Sequence, residues 1–472
     1  MHVQVSSDRG RMPGTIALRS VLRFSMPAAI MLYCASFNWS YVQWVSPTWS
    51  YMGLTYNAPN PALLAVGYML AAVQCALSPL TIRRTSQVIY WILYFNVYIP
   101  GLFVPLYVQL DNSLTLLLLQ LNMTAGMLLI ALSYRAKLVR FRRYSVSSGL
   151  FWSIFTALFA LCNVTLFVAF RHNLHLSSLN EVYASRFQAS AILQDSVALT
   201  YVSSALSNVM NPLLIAYGLS VSRYKLVVLG LLGQVLVYAT AAMKSVLLSP
   251  LLIIVFYYSL KKDRGAWAPK VALMCAGTFV ALTALVIGAR PGFLFNLASS
   301  TLMRSFALPG LSIAQYQYFF EHFPHTYLGH VHGVNLLFPN PYQMPLGLEI
   351  GNFYTDVGSG HIQDANANFF AFDGIAGFGL PGIPMMGLVC AAMFWGLDCC
   401  TRRYPIAISA SALTMCTVSL ANVSLFSAFL GGGFMLWMLL FVFMPQHLLS
   451  DGYLVRSGQA SFSSRYRPES KI

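Results

Sequence analysis

Acidic side chains are the scarcest chemistry in this 472-residue sequence: 13 Asp and Glu stand against 28 Lys and Arg, and charged residues of both signs make up only 9%. Soluble domains carry about a quarter charged residues, so an ordinary water-facing surface over the whole chain is excluded. Cysteine is sparse too. The eight cysteines (Cys34, Cys75, Cys162, Cys275, Cys390, Cys399, Cys400 and Cys416) lie in apolar runs or at their ends, and the adjacent Cys399 and Cys400 have no metal-ligand spacing around them. Neither a disulfide framework nor a cysteine-zinc site is implied.

What fills the sequence is apolar. It is 57% hydrophobic with a mean hydropathy of +0.65, which marks a polytopic membrane protein. A net charge of +15 would suggest nucleic acid in a soluble protein. Here the cations sit in short segments beside apolar spans, the pattern that sets orientation and meets anionic lipid heads, so nucleic acid is not an expected partner and the lipid bilayer is.

The runs divide into about twelve spans near the ~20 residues that cross a bilayer. The first, Phe24 to Val45, is too long for a signal peptide and lacks a small-residue cleavage site. Spans follow from Pro61 to Arg83, Val88 to Val108, Leu114 to Tyr134 and Leu150 to Phe170, and a sixth ends near Tyr217. Between Lys225 and Lys261 only 35 residues must cross twice, which predicts a tight hairpin with its tip near Lys244. A ninth span ends at Arg290, a tenth runs to Arg402, and two more lie beyond Ile406. The expected organisation is a nine-span bundle over 1–289 with a short outer loop at 171–195, a large outer loop at 290–379, three spans over 380–446 and a tail at 447–472.

Alternation of these spans puts 23 of the 28 basic residues on one side, which the positive-inside bias makes cytoplasmic together with both termini. The exceptions are Arg171, Arg186, Lys244, Arg290 and Arg304. Cations on the outer face suit an anionic substrate presented from the bilayer; Arg171 and Arg290, which abut spans, equally suit headgroup anchors. The long outer segment is rich in aromatics, amides, carboxylates and imidazoles: Tyr316, Tyr318, Glu321, His322, His325, His330, His332, Glu349, Asp356, His361, Asp364, Asn366, Asn368 and Asp373. Such a mixture suits sugar recognition, and equally a folded polar cap facing water.

Several stretches resemble the bacterial O-antigen and exopolysaccharide repeat-unit polymerases. They are Asn180 to Arg186 (NEVYASR) before a span holding Asn211-Pro212; Ala242 to Ser245 (AMKS); Arg304 to Pro309 (RSFALP) with Tyr318 to Phe320 and Pro324; and Asn366 to Phe370 (NANFF) with Asp373-Gly374 and Gly377 to Gly382. The resemblance implies an all-α polytopic protein of the bacterial inner membrane with one large, partly helical periplasmic loop. It also implies a metal-independent glycosyltransferase of the GT-C type that moves a glycan from undecaprenyl pyrophosphate onto a lipid-linked repeat unit, working beside a flippase and a chain-length regulator. An O-antigen ligase shares the donor, and a lipid-linked oligosaccharide flippase or transporter shares the span count.

On that reading Arg186, Arg304, Lys244, Arg171 and Arg290 hold the pyrophosphate, and the forked guanidinium of Arg186 and Arg304 stabilises the leaving group. Asp373 is the first candidate to accept the attacking hydroxyl's proton, with Glu181, Glu321 and His332 as rivals; an N-cap of the following span is its alternative role. Tyr316, Tyr318, Asn366, Asn368 and His332 are candidates for binding sugar, while Asn in loops also caps turns. The histidines from His322 to His361 invite a zinc reading, but their spacing fits no standard pattern, and Ser46 to Pro61 holds none of the acids a metal-dependent enzyme would place in its first outer loop. No cofactor is expected.

Overall fold

The computed structural model describes residues 13–139, 146–171, 196–241, 244–262, 266–288, 292–331, 333–354 and 364–445. All regular structure among them is helical. In chain order the main helices are α1 (Pro13–Ser40), α2 (Pro61–Leu77), α3 (Thr85–Val108), α4 (Ser113–Ser133), α5 (Ser148–Phe170), α6 (Val197–Ala205), α7 (Asn211–Ser220), α8 (Tyr224–Ala241), α9 (Lys244–Lys261) and α10 (Trp267–Gly288). They continue with α11 (Phe293–Leu302), α12 (Leu308–His322), α13 (Leu346–Phe353), α14 (Gly382–Thr401), α15 (Ile406–Ala412), α16 (Thr414–Leu420), α17 (Leu425–Leu430) and α18 (Phe434–Phe443).

Six described stretches are long and apolar enough to cross a membrane: α3, α4, α5, α10, α14 and the run Leu425–Phe443 formed by α17 and α18. Of the other expected spans, α1 runs 28 residues and the rest are shorter or interrupted. Helix α2 has 17 residues; α8 and α9 lie side by side, Gln234 donating to the Ser249 hydroxyl at 3.0 Å, and the residues at the expected hairpin tip between them lie outside the described residues.

Many of the breaks have one cause. Four π-helical turns, Tyr41–Val45, Tyr94–Tyr98, Leu206–Met210 and Met303–Ala307, each end two residues before a proline: Pro47, Pro100, Pro212 and Pro309. A proline ring clashes with the carbonyl four residues earlier and offers that carbonyl no N–H. In every case that carbonyl (Gln43, Asn96, Asn208, Ser305) lies inside the widened turn, which opens the backbone away from the ring. The Asn208 carbonyl then accepts the Trp437 indole N–H at 3.0 Å, so the broken α6–α7 helix is tied to α18.

Helix starts follow their caps. Asn60, Asn112, Ser147 and Ser196 each accept a first-turn N–H with their side-chain oxygen. Tight helix pairs use glycine: a Cβ on Gly387 of α14 would come within 2.6 Å of the Gly126 carbonyl of α4, and one on Gly310 of α12 within 2.4 Å of the Pro100 carbonyl of α3. Buried tyrosines hydrogen-bond across the core. Tyr33 donates to the Phe95 carbonyl at 2.8 Å and Tyr94 to the Ala71 carbonyl at 2.6 Å.

The segment expected as a separate outer loop enters this packing. From Phe293 to His322 it runs helically through α11, a π turn and α12, and most of α12 is buried against α3. The stretch from Ala367 to Ala376 is buried as well, between α12 and the start of α14. The apolar α12 sequence between Leu308 and Phe320 explains this: left in water it would expose a largely hydrophobic surface on all sides.

Candidate functional site

Two groups of the sequence-selected residues meet at Pro309. Asn368 donates its side-chain amide to the Pro309 carbonyl at 3.2 Å and accepts from the Phe370 N–H at 3.2 Å. This bond joins the Arg304 to Pro309 stretch to the Asn366 to Asp373 stretch, far apart in sequence. Arg304 is exposed on its π turn, five residues before Pro309, or about 8 Å along the helix at ~1.5 Å per residue.

Asp373 lies at the centre of the second stretch and is completely buried. One oxygen accepts from the Ser424 hydroxyl at 2.7 Å and from His330 Nε2 at 3.2 Å; the other accepts from the Leu425 backbone N–H at 2.5 Å. Ser424 is the N-cap of α17, so Asp373 caps a neighbouring helix in place of its own, with its charge at the positive end of that helix. Both oxygens are engaged. The His330 ring, 5% exposed, is the member of the pair nearer solvent, and its Nδ1 lies 2.8 Å from the Thr326 hydroxyl. Thr326 is in turn fastened to the Ala376 carbonyl by its backbone N–H at 2.8 Å and its hydroxyl at 3.1 Å.

The group accommodates either protonation state. With neutral imidazole, the Thr326 hydroxyl donates to Nδ1 and Nε2–H donates to Asp373. With imidazolium, Nδ1–H donates to Thr326, whose hydroxyl turns to Ala376. No donor is stranded in either arrangement.

A second group sits at the C-terminal end of α12. Asp111, in the short turn between α3 and α4, hydrogen-bonds the Glu321 carboxylate and faces His322. Partial burial, then the Glu321 hydrogen bond and negative charge, push the Asp111 carboxyl up to about 7, against the opposing pull of His322. His322 Nδ1 lies 2.8 Å from the Tyr318 carbonyl and its ring is 4.6 Å from the Tyr318 ring, which leaves Nε2 as the basic nitrogen of the neutral ring. The Tyr354 hydroxyl donates to the Gln315 carbonyl at 3.0 Å, with its phenol close enough to feel the Asp111 charge. His325 stacks on Phe320, and burial pulls its imidazole below the usual value.

The remaining selected residues are dispersed. Tyr316 is buried and donates to the Ala365 carbonyl at 3.0 Å, so its ring serves packing; Tyr318 is half-buried beside His322. Asn366 is exposed and donates to Asp364 at 2.6 Å, so it and the buried Asn368 present themselves to different surroundings. Arg171 is exposed just past α5. Lys244 opens α9, and its side chain lies outside the described residues, as do Arg186, Arg290, His332, Glu181, Asp356 and His361. Arg304 and Glu321 are not brought together: 17 positions on one helical run separate them by about 25 Å. Among the described residues no group of three or more His, Cys, Asp or Glu is arranged to hold a metal ion.

Residues that pattern reading passed over also belong here. Asp111 is the first acid after Asp8 and stands in a turn between two spans, a signal open to inspection. Thr326 and Ser424 carry no such signal, since their partners are distant in sequence. Comparison with protein-family models, curated proteins and solved structures finds no match.

Proposed function

We propose that this chain is an inner-membrane glycosyltransferase that polymerises lipid-linked repeat units, moving a growing glycan from undecaprenyl pyrophosphate to the end of a new unit. The observation that supports the reading is the Asn368–Pro309 hydrogen bond, which ties the Arg304 to Pro309 stretch to the stretch holding Asp373. Breaking the bond from the anomeric carbon to pyrophosphate loads negative charge onto the leaving group, and a guanidinium fork at Arg304 meets that charge with two hydrogen bonds. In this scheme the attacking hydroxyl takes the place of the Thr326 hydroxyl at His330 Nδ1 and gives its proton there, Thr326 turning to the Ala376 carbonyl and Asp373 holding the ring at Nε2, since the carboxylate itself is enclosed. Tyr318, His322, Glu321 and Asp111 lie farther along α12, where they suit the outer sugars of the glycan.

The glycan profile of a strain lacking this chain tests the proposal. Core bearing a single repeat unit is the expected result. Absence of any attached repeat would replace polymerisation by ligation or export. Turnover of lipid-linked repeat units by the purified protein, with and without chelator, then tests whether the reaction needs a metal.

A further inference from the structure

The sequence from Phe323 to Leu348 contains no Lys, Arg, Asp or Glu, although it connects two polar clusters. Within it the 3-10 turn Val334–Leu336 and the residues after it hold three consecutive large apolar side chains outward: Leu336 is 87% exposed, Leu337 77% and Phe338 52%. The backbone holds this presentation firmly. Val334 and Asn335 donate to the Val331 carbonyl at 3.1 and 3.2 Å, and Leu337 and Phe338 donate to the Val334 carbonyl at 2.9 and 3.0 Å. At its base, Gly329 packs so closely under Phe338 that a Cβ would meet that carbonyl at 2.4 Å. The Tyr342 hydroxyl closes the loop onto the Pro324 carbonyl at 2.6 Å.

The height of this turn is fixed by its neighbours. Its stem, Thr326 to His330, is bonded to Ala376 and Asp373; Asp373 is bonded to the first residue of the membrane-length run Leu425–Phe443, and Gly374 packs on Gly382, the first residue of the membrane-length α14. The stem therefore lies level with the starts of these two membrane-length helices. Three outward apolar side chains in a segment without Lys or Arg suit the acyl-glycerol boundary at the end of a membrane-length helix, where aromatic and aliphatic residues anchor.

We propose that the Leu336–Phe338 turn dips into the phospholipid leaflet at this end of the bundle and anchors the Phe323 to Tyr342 loop at the membrane surface. The inference rests on the membrane character of the chain and is independent of the reaction assigned above.

The test places a nitroxide on Leu337→Cys in the full-length protein reconstituted in phosphatidylcholine vesicles. Most described native cysteines are buried, Cys162 and Cys275 being half-buried, and wild-type protein treated alike supplies the blank. At a position already exposed the substitution leaves the core intact, and the elution profile of the variant checks this. The expected result is a label that collides more often with dissolved oxygen than with a water-soluble nickel chelate, equally with and without added phosphatidylglycerol. Preference for the nickel chelate would place the turn in water and overturn the proposal. So would spin–spin broadening that vanishes on dilution with unlabelled protein, which would assign the turn to a second copy, or an oxygen preference that appears only with the anionic lipid.

Discussion

Two buried aspartates, one at each end of the bundle, perform the same capping task in different company. Asp398, in α14, accepts from the Ser86 backbone N–H at 3.0 Å and the Ser86 hydroxyl at 2.7 Å, closing the first turn of α3. Asp373 does the same for α17 through Leu425 and Ser424. The basic end around Asp398 is knitted by cations that satisfy backbone: Arg84 donates to the Ala136 carbonyl at 2.9 Å and lies 5.9 Å from the Tyr134 ring, and Arg402 donates to the Leu138 carbonyl at 3.3 Å. Around Asp373 the third partner is an imidazole brought by a distant loop. A carboxylate at a helix N-terminus needs no histidine to be stable. The extra partner therefore marks the end at which the protein has invested polar contacts beyond those that capping requires.

The largest expected contrast lies between arginines. Arg304→Ala should lower polymer synthesis by about 100-fold or more, the usual scale for losing a group that stabilises a departing anion, with protein level unchanged because the side chain is exposed. Arg304→Lys should recover part of the activity, since an ammonium offers charge without the fork. Arg84→Ala, at the other end, should leave polymer length intact. Equal losses in Arg304→Ala and Arg84→Ala would erase the distinction between the ends.

Alanine at the aspartates comes next. Asp373→Ala strands donors from Ser424, Leu425 and His330, and Asp398→Ala strands two from Ser86, so both should destabilise, by about 3 and about 2 kcal/mol respectively in unfolding followed in detergent. An Asp398→Ala loss clearly larger than that of Asp373→Ala would show that the imidazole contributes nothing to the Asp373 site.

How much of this was legible in the sequence depends on the range of the cause. The six membrane-length helices followed from apolar runs, and the pairing of α8 with α9 from the shortness of the Lys225 to Lys261 interval. The prolines at 47, 100, 212 and 309 could have announced the π turns, because the clash they relieve reaches only four residues back. The packing of α12 into the bundle was missed because its polar flanks, Arg304 and Glu321 with His322, suggested a loop, while the apolar stretch between them has the length of a buried helix. The role of Asp373 depended on Ser424, 51 residues away, and that of Asp398 on Ser86, 312 residues away. No local pattern encodes such partners.

A smaller effect isolates the histidine. Phenylalanine fills most of the imidazole volume, so His330→Phe should cost about 1 kcal/mol, one hydrogen bond, while Ser424 and Leu425 keep Asp373 satisfied. If His330 also takes the proton in the reaction, the same variant should lose far more activity than stability, with donor binding retained. Activity falling only in step with the folded fraction would confine His330 to structure.

The smallest effect is a slope. Because burial and Glu321 raise the Asp111 carboxyl to about 7, the folded protein holds a proton there that the unfolded chain, with an ordinary value near ~4, releases. The native state then binds more protons than the unfolded state between those values, so this site's contribution is complete below about pH 4 and disappears as pH rises through about 7. Asp111→Asn keeps the shape and can donate to Glu321 at every pH. The unfolding midpoint of the variant should be flatter than wild type from pH 5 to pH 8, converging with it at the acidic end and exceeding it at the alkaline end. An identical slope in Asp111→Asn and wild type would mean that Asp111 and Glu321 do not share a proton.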